Sequence, residues 1–320
     1  MKLQILALDG VFDTGLAALL DVFTTANELA AMLTLDVAPF EVAIVGPRRK
    51  IRTAQGFAVP LAESFDPAAA DWLVVPAIGY KMPEALIPAL QRPDVHDAVA
   101  ALRQGAAAGT HIAAACIGTF VLAESGLLEG EKATTTWWLA PLFRQRYPDV
   151  LLEDARMLVK SGSFVTAGAA LSHMDLALWL VRQASPDLAG LVARYLIVDS
   201  RPAQSAYAIA DHLSHADPLV EKFERWARGR LAEGFSLDDA AEAIGTSKRT
   251  LARRMQQVLG KSPLSCFQDL RVERAVHLLK TSEQSLEQIA ALVGYADGVT
   301  LRSLLRKRLG RGVRELRLPD

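Results

Sequence analysis

Residues 111–128 read HIAAACIGTFVLAESGLL. Ile112 to Ala115 are apolar without a polar alternate, the pattern of a strand buried on both faces. Cys116 and Ile117 follow, and from Gly118 to Ser125 the pattern is helical. A strand that runs directly into a helix places the residue at the turn above the sheet, beside a helix N-terminus. The backbone N–H groups and dipole there lower a thiol's pKa and can hold an oxyanion, and Gly118 lets such a turn pack tightly. Cys116 is therefore a residual nucleophile, or a small buried side chain at the end of a strand.

Working outward, KLQILALD, EVAIVG and DWLVVPA are further short apolar runs ending at turn signals. Helical stretches lie between them, from Leu16 to Ala31 and from Asp94 to Ala107. This βαβα order predicts a mostly parallel sheet with helices on both faces. The mixed stretch from Val45 to Pro67 predicts a hairpin or a crossover at the sheet edge. MLVKSGSFVTAG predicts a β-hairpin turning at Ser161-Gly162. Two apolar-striped helices follow, Leu171 to Gln183 and Leu188 to Ile197.

The pattern breaks at DSRPAQSAYAIADHLSHA, residues 199–216, which marks a domain junction. His212 and His215 are three apart but have no evident third ligand, so a surface or packing role is expected and no metal site. From Pro218 onward the sequence reads as short helices with turns at Gly234, Gly245, Gly260, Gly294 and Gly310. Two segments share one grammar: SLDDAAEAIGTSKRTLARRMQQVLGKSP and SLEQIAALVGYADGVTLRSLLRKRLGRGV. Ser236 with Asp239 and Ser285 with Gln288 have capping-box spacing. Ala240, Ala241 and Ile244 match Ile289, Ala290 and Val293 as a packed helical face. Gly245 and Gly294 stand where the chain must turn, and an Arg-rich helix follows each. This is helix-turn-helix logic used twice, with the second helix of each unit offering side chains to base edges in the major groove. The candidate readers are Lys248, Arg249, Arg253 and Gln257 in the first unit, and Thr300, Arg302, Ser303 and Arg306 in the second. Between the units, SPLSCFQDLRVERAVHLLK predicts one amphipathic helix whose Phe267, Leu270, Val272, Val276 and Leu279 bury against both. Cys266 on that helix reads as packing.

Charge supports this division. Residues 1–220 carry 16 basic and 23 acidic side chains, a balance of −7; residues 221–320 carry 19 and 13, a balance of +6. A basic block joined to an acidic one suits a chain of which one part meets a polyanion. A composition of 51% hydrophobic and 22% charged residues excludes a largely disordered chain. Two cysteines make no disulfide framework, which favours a reducing cytoplasm. No apolar run is long enough to span a bilayer, and the N-terminal run from Leu3 to Leu8 is too short for a signal peptide.

Residues from about 220 to 317 resemble the AraC/XylS family of bacterial transcription regulators, through GTSKRTLARRM, LRVERAVHLLK and IAALVGYADGVTLRSLLRKRLG. The first 200 residues resemble the PfpI-type, class I glutamine-amidotransferase-like superfamily, through DVFTTANEL, VVPAIG, AACIGTFVLAESGLLEGEKATTTWW and TAGAALSHMDLALWLV. Together they have the architecture of GlxA-type AraC regulators. The resemblance implies an α/β flavodoxin-like sandwich with a mostly parallel sheet, then an all-α domain with two helix-turn-helix units. It divides the chain into a sensor and dimerisation domain (1–200), a junction (201–217) and a DNA-binding domain (218–320). It implies a ligand site around the elbow, with Ile78, Gly79, Cys116, Ile117, Thr136, Trp137 and His173 as candidates. Trp137 and Trp138 wall a pocket in this reading, or else fill core or a dimer interface. Expected partners are double-stranded DNA, RNA polymerase, a small-molecule effector and a second copy of the chain, with no cofactor and no membrane.

The elbow departs from the enzymes it resembles. The acid on the loop after the first strand is replaced by Gly15, the residue after the cysteine is Ile117, and an expected His is Thr136. These departures point to a non-catalytic sensor. The alternative is a cysteine-dependent hydrolase or hydratase with a DNA-binding appendage, in which His173 serves as base.

Overall fold

The computed structural model describes residues 1–62, 65–199, 201, 203–204, 217–309 and 312–317. The chain divides into two compact units, Met1–Ala208 and Ile209–Asp320. His212, His215 and Gly310 lie outside the described residues. Among those described, no cluster of three His, Cys, Asp or Glu side chains could hold a metal, and no helix is long and apolar enough to cross a membrane.

The first unit is built on β1 (Lys2–Leu6), β2 (Glu41–Val45), β5 (Trp72–Val75), β6 (His111–Ala115), β9 (Leu158–Ser161) and β10 (Phe164–Ala167). They form one sheet in the order β2-β1-β5-β6-β10-β9, parallel throughout except for the β10–β9 pair. That last pair is the hairpin expected around Ser161-Gly162, with Phe164 opposite Ser161. The mixed stretch after β2 resolves as a separate antiparallel hairpin, β3 (Lys50–Arg52) with β4 (Ala58–Pro60). A short parallel pair, β7 (Lys132–Ala133) and β8 (Leu151–Leu152), completes the strands.

Side chains alternate across the pleat, so each strand feeds two cores. Leu3, Ile5, Val74, Ala113 and Ala115 face one core with α1 (Asp13–Met32), α6 (Ser172–Ala184) and α7 (Pro186–Tyr195). Leu6, Leu73, Val75, Ile112, Ala114 and Cys116 face the other with α2 (Pro83–Ala89), α3 (Pro93–Ala107), α4 (Gly118–Glu124) and α5 (Ala140–Arg146). A sheet apolar on both faces cannot be stable without helices on each, which is why β6 reads as a continuous apolar run. Arg201 and Gln204 belong to this unit: Arg201 pairs with Asp175 at 2.5 Å, and the buried Gln204 amide bonds the Thr135 and Asp154 carbonyls, each at 2.8 Å.

The second unit is helical: α8 (Pro218–Arg228), α9 (Leu237–Ala243), α10 (Lys248–Leu259), α11 (Pro263–Thr281), α12 (Leu286–Leu292), α13 (Gly298–Leu309) and α14 (Val313–Arg317). It has two cores. Phe267 and Leu270 of α11 join the first, with Phe223, Ala240, Leu251 and Met255. Val272, Ala275 and Leu279 join the second, with Ile289, Ala290, Leu301 and Leu305. One 19-residue helix thus supplies a wall to each helix-turn-helix unit.

Candidate functional site

At the end of β6, Cys116 adopts φ 56°, the left-handed region that costs a side chain with a Cβ about 1–2 kcal/mol. Three contacts hold it there. Its N–H donates to Ala167 O at 2.9 Å; its carbonyl accepts from Thr135 Oγ1 at 2.8 Å and from Thr119 N at 3.3 Å. Gly118 is required by close approach: a Cβ would press on Val75 O and stand 2.8 Å from Pro76 O. The elbow therefore has the geometry its sequence predicts.

Its electrostatics differ from that expectation. Cys116 is 3% exposed, and burial pushes its thiol up to about 12. The backbones of Ile117 and Ala170, the Thr136 hydroxyl and Lys81 pull the other way, and burial outweighs them. The buried Thr136 hydroxyl lies near the thiol but outside hydrogen-bond geometry. The thiol faces a cavity of about 20 Å3 between Phe12, Ile78, Ile117, Lys81 and Trp138. That volume is of the order of one water. Of the candidate ligand residues, Ile78, Gly79, Cys116 and Ile117 line this space; Thr136, Trp137 and His173 do not. Of the two tryptophans expected to wall the pocket, Trp138 lines it, with its indole N–H on Lys81 O at 3.1 Å, and Trp137 does not.

His173 is fully buried and both ring nitrogens are occupied. Nδ1 donates to Ala170 O at 2.6 Å, and Nε2 accepts from Ala77 N at 3.1 Å, which fixes a neutral ring. Burial pulls its pKa down to about 4. With Nε2 already accepting a backbone hydrogen, the ring has no lone pair to offer the thiol. A Cβ on Gly15 would lie 2.7–2.9 Å from three atoms of this ring. The glycine that stands where an acid is expected is thus coupled to His173 by volume. The imidazole occupies the space that a side chain at position 15 would need. Nothing local in the sequence signals this, because the partners are 158 residues apart. His111, at the start of β6, stacks on Trp72 with ring centroids 4.8 Å apart, at the opposite end of the strand from Cys116.

In the second unit, Ser236, Ser247 and Ser285 each cap a helix by accepting a backbone N–H three residues on. The box at Ser285 and Gln288 is reciprocal; at Ser236 only the serine half forms. Leu251, Met255 and Val258 anchor the inner face of α10, which leaves Arg249, Arg253 and Gln257 exposed in one stripe at four-residue spacing. Leu301 and Leu305 do the same for α13, where Arg302 and Arg306 are exposed, with Thr300 and Ser303 beside them. None of these four arginines pairs with a described acid. Other cations on the same helices are held by acids. Arg254 pairs at 2.5 Å with Asp217, which is 3% exposed and caps α8. Arg308 pairs with Asp269 of α11, which also holds Lys261 at 2.9 Å. Lys248, a candidate reader, is held by Asp238 at 2.7 Å. Sequence reasoning missed these acids; the Asp217-Pro218 cap signal was the available clue to one of them.

The turn of the second unit is fixed from α11. Arg271 lies over the rings of Phe267 and Tyr295, 4.8 and 5.3 Å from their centroids, and donates to the carbonyls of Leu231, at 2.9 Å, and Glu233. Gly294 approaches the same place with φ +78°, where a Cβ would stand 2.5 Å from Leu231 O. The last helix adds Leu316 to the second core.

Comparison with known proteins gives two family matches. The DJ-1/PfpI family profile matches residues 1–183, and a helix-turn-helix domain profile matches residues 240–318. The chain is 28% identical over 219 residues to the HTH-type transcriptional regulator ArgR of Pseudomonas aeruginosa, covering 67% of this chain and 66% of that protein. It is 24% identical over 225 residues to the HTH-type transcriptional regulator GbdR of the same species, covering 69% and 61%. The matched region is thus less than two thirds of either relative's length. Among solved structures, an AraC family transcriptional regulator from Pseudomonas putida superposes with TM-score 0.51 at 21% identity, over 61% of this chain and 98% of that one. That likeness concerns the fold.

Proposed function

The chain belongs to the DJ-1/PfpI family and ends in an AraC-type helix-turn-helix domain, and we propose that it is a sequence-specific DNA-binding transcription regulator whose first unit senses rather than catalyses. The observation that carries this reading is the pair of exposed, unpaired arginine stripes, Arg249 with Arg253 and Arg302 with Arg306, each on the second helix of a capped helix-turn-helix unit. Unpaired guanidinium groups reach guanine edges or phosphates without first breaking an ion pair. Arg254 and Arg308 brace the helices, while the exposed ion pair of Lys248 with Asp238 leaves that lysine within reach of a phosphate. A second copy of the chain would double the reader pairs and favour repeated or palindromic sites. RNA polymerase is the further partner such a regulator acts on.

The buried thiol, the occupied His173 and the filled space beside Gly15 favour sensing over hydrolysis. A metabolite at the elbow would need Trp138 or Ile117 to move, since the cavity admits about one water.

The test is selection of genomic fragments by the purified full-length chain, followed by sequencing. Enrichment of a motif with two half-elements about one DNA turn apart is the expected result; uniform, salt-labile binding would count against a sequence reader. On the selected site, Arg249→Ala or Arg302→Ala should cost about 1–3 kcal/mol and relax one base position. A loss spread evenly over all sequences would assign that arginine to phosphate instead.

A further inference from the structure

A second cavity of the first unit lies away from the cysteine. It is a cleft of about 320 Å3 bounded by Asp9, Arg48, Lys50, Arg92 and Asp94, within the range of small-molecule sites. Its walls come from connections beyond the sheet: Asp9 follows β1, Arg48 lies between β2 and β3, Lys50 opens β3, and Arg92 and Asp94 stand at the start of α3. In the sheet order β2-β1-β5-β6 the switch point lies between β1 and β5, where ligands of open α/β sheets bind outside the carboxyl ends; Asp9, after β1, and Arg92 and Asp94, in the connection after β5, border it.

One wall is rigid. Arg92 chelates Asp94 with Nε at 2.9 Å and Nη2 at 2.5 Å, bonds the Tyr80 hydroxyl at 2.9 Å and reaches Asp9 O at 2.7 Å. Asp9 Oδ1 accepts from Arg52 N at 2.8 Å, which ties the β3 hairpin to the same wall. These bonds leave Arg92 and Asp94 neutral as a pair. The rest of the lining is uncommitted: the side chains of Arg48 and Lys50 are exposed and make no hydrogen bond or ion pair with a described residue. The cleft thus presents two uncommitted cations beside a fixed wall. The Asp9 carboxylate there disfavours an extended polyanion and can accept from a ligand hydroxyl.

We propose that this cleft binds a compact organic dianion, a dicarboxylate or a phosphate monoester, through Arg48 and Lys50. The proposal deepens the sensor reading by placing the effector beside the carboxyl ends of β1 and β5 instead of at the elbow.

Equilibrium dialysis of the full chain with labelled succinate and with labelled inorganic phosphate, in sodium chloride of constant ionic strength, tests it. Saturable binding of one or both at one site per chain is expected; succinate alone assigns a carboxylate ligand, phosphate alone a phosphate ester. The double variant Arg48→Ala/Lys50→Ala should weaken binding about tenfold or more, the scale of charge-assisted hydrogen bonds, with an unchanged ligand-free melting temperature. Arg182→Ala/Arg194→Ala, two exposed arginines on α6 and α7, should bind as the parent does. No saturable binding of either anion, or equal loss in both double variants, overturns the proposal. Dialysis needs no DNA. A chain that binds anion but selects no DNA site therefore fails the regulator reading alone, and one that selects a site but binds no anion fails this proposal alone.

Discussion

Two residues at the elbow decide what its thiol can do, and each has a pH signature. Burial holds the Cys116 thiol neutral, so native protein should react with iodoacetamide slowly at pH 7 to 8 and show no rate inflection below about pH 9. Rapid native alkylation at pH 7 would return the site to thiol chemistry. His173 titrates near 4 in the folded chain against an ordinary 6.5. Below pH 6.5 the unfolded chain takes up a proton there that the folded chain refuses until about pH 4. The contribution is therefore complete above pH 6.5 and lost as pH falls toward 4, roughly 3 kcal/mol across the window. Urea unfolding of the first unit at pH 7 and pH 5, followed by tryptophan fluorescence, reads this loss. The difference between parent and His173→Gln isolates it from carboxylates such as Asp94, whose ion pair with Arg92 also weakens in acid.

At the scale of elements, the helices of the second unit separate bracing charges from reading charges. Arg254→Ala removes the charged partner of the buried Asp217 carboxylate, which keeps its cap bonds to Leu219 N and Val220 N, and should lower stability by about 1–2 kcal/mol. Arg249→Ala, on the same helix, should leave the urea midpoint nearly unchanged while weakening DNA binding. Equal effects on both measurements would merge the two classes. Gly294→Ala meets both a left-handed backbone and the Leu231 carbonyl, and should cost at least about 1–2 kcal/mol in the same unfolding assay. That turn joins the second reading unit to the segment after α8, so its loss should abolish two-part operator recognition before it abolishes binding to a half-element.

Across the whole molecule, what the sequence revealed depended on how local the cause was. Strands β1, β2, β5 and β6 were legible because a doubly covered sheet demands unbroken apolar runs. The helix-turn-helix pairs were legible because Ser caps and turn glycines act within a few residues. Helix α2 was missed: Pro83 and Pro88 in seven residues hide its helical pattern. The one-turn helix at Trp137–Leu139 and α5 behind it were missed for a related reason, since two adjacent tryptophans suggest pocket walls before they suggest a turn of helix. The elbow itself was legible, but its electrostatics were not. Phe12, Ile78 and Trp138 come from three distant segments to bury the thiol, and His173 meets Gly15 across most of the unit. The linking helix α11 has a consequence of another kind. Because it walls both cores, one inserted residue within it would rotate the second reading face by about 100° and shift it about 1.5 Å. Point changes on the arginine stripes can alter which bases are read, while the distance between half-elements is locked to the phase of a single helix. Descendants of this chain can thus drift in operator letters by single steps, but not in operator spacing.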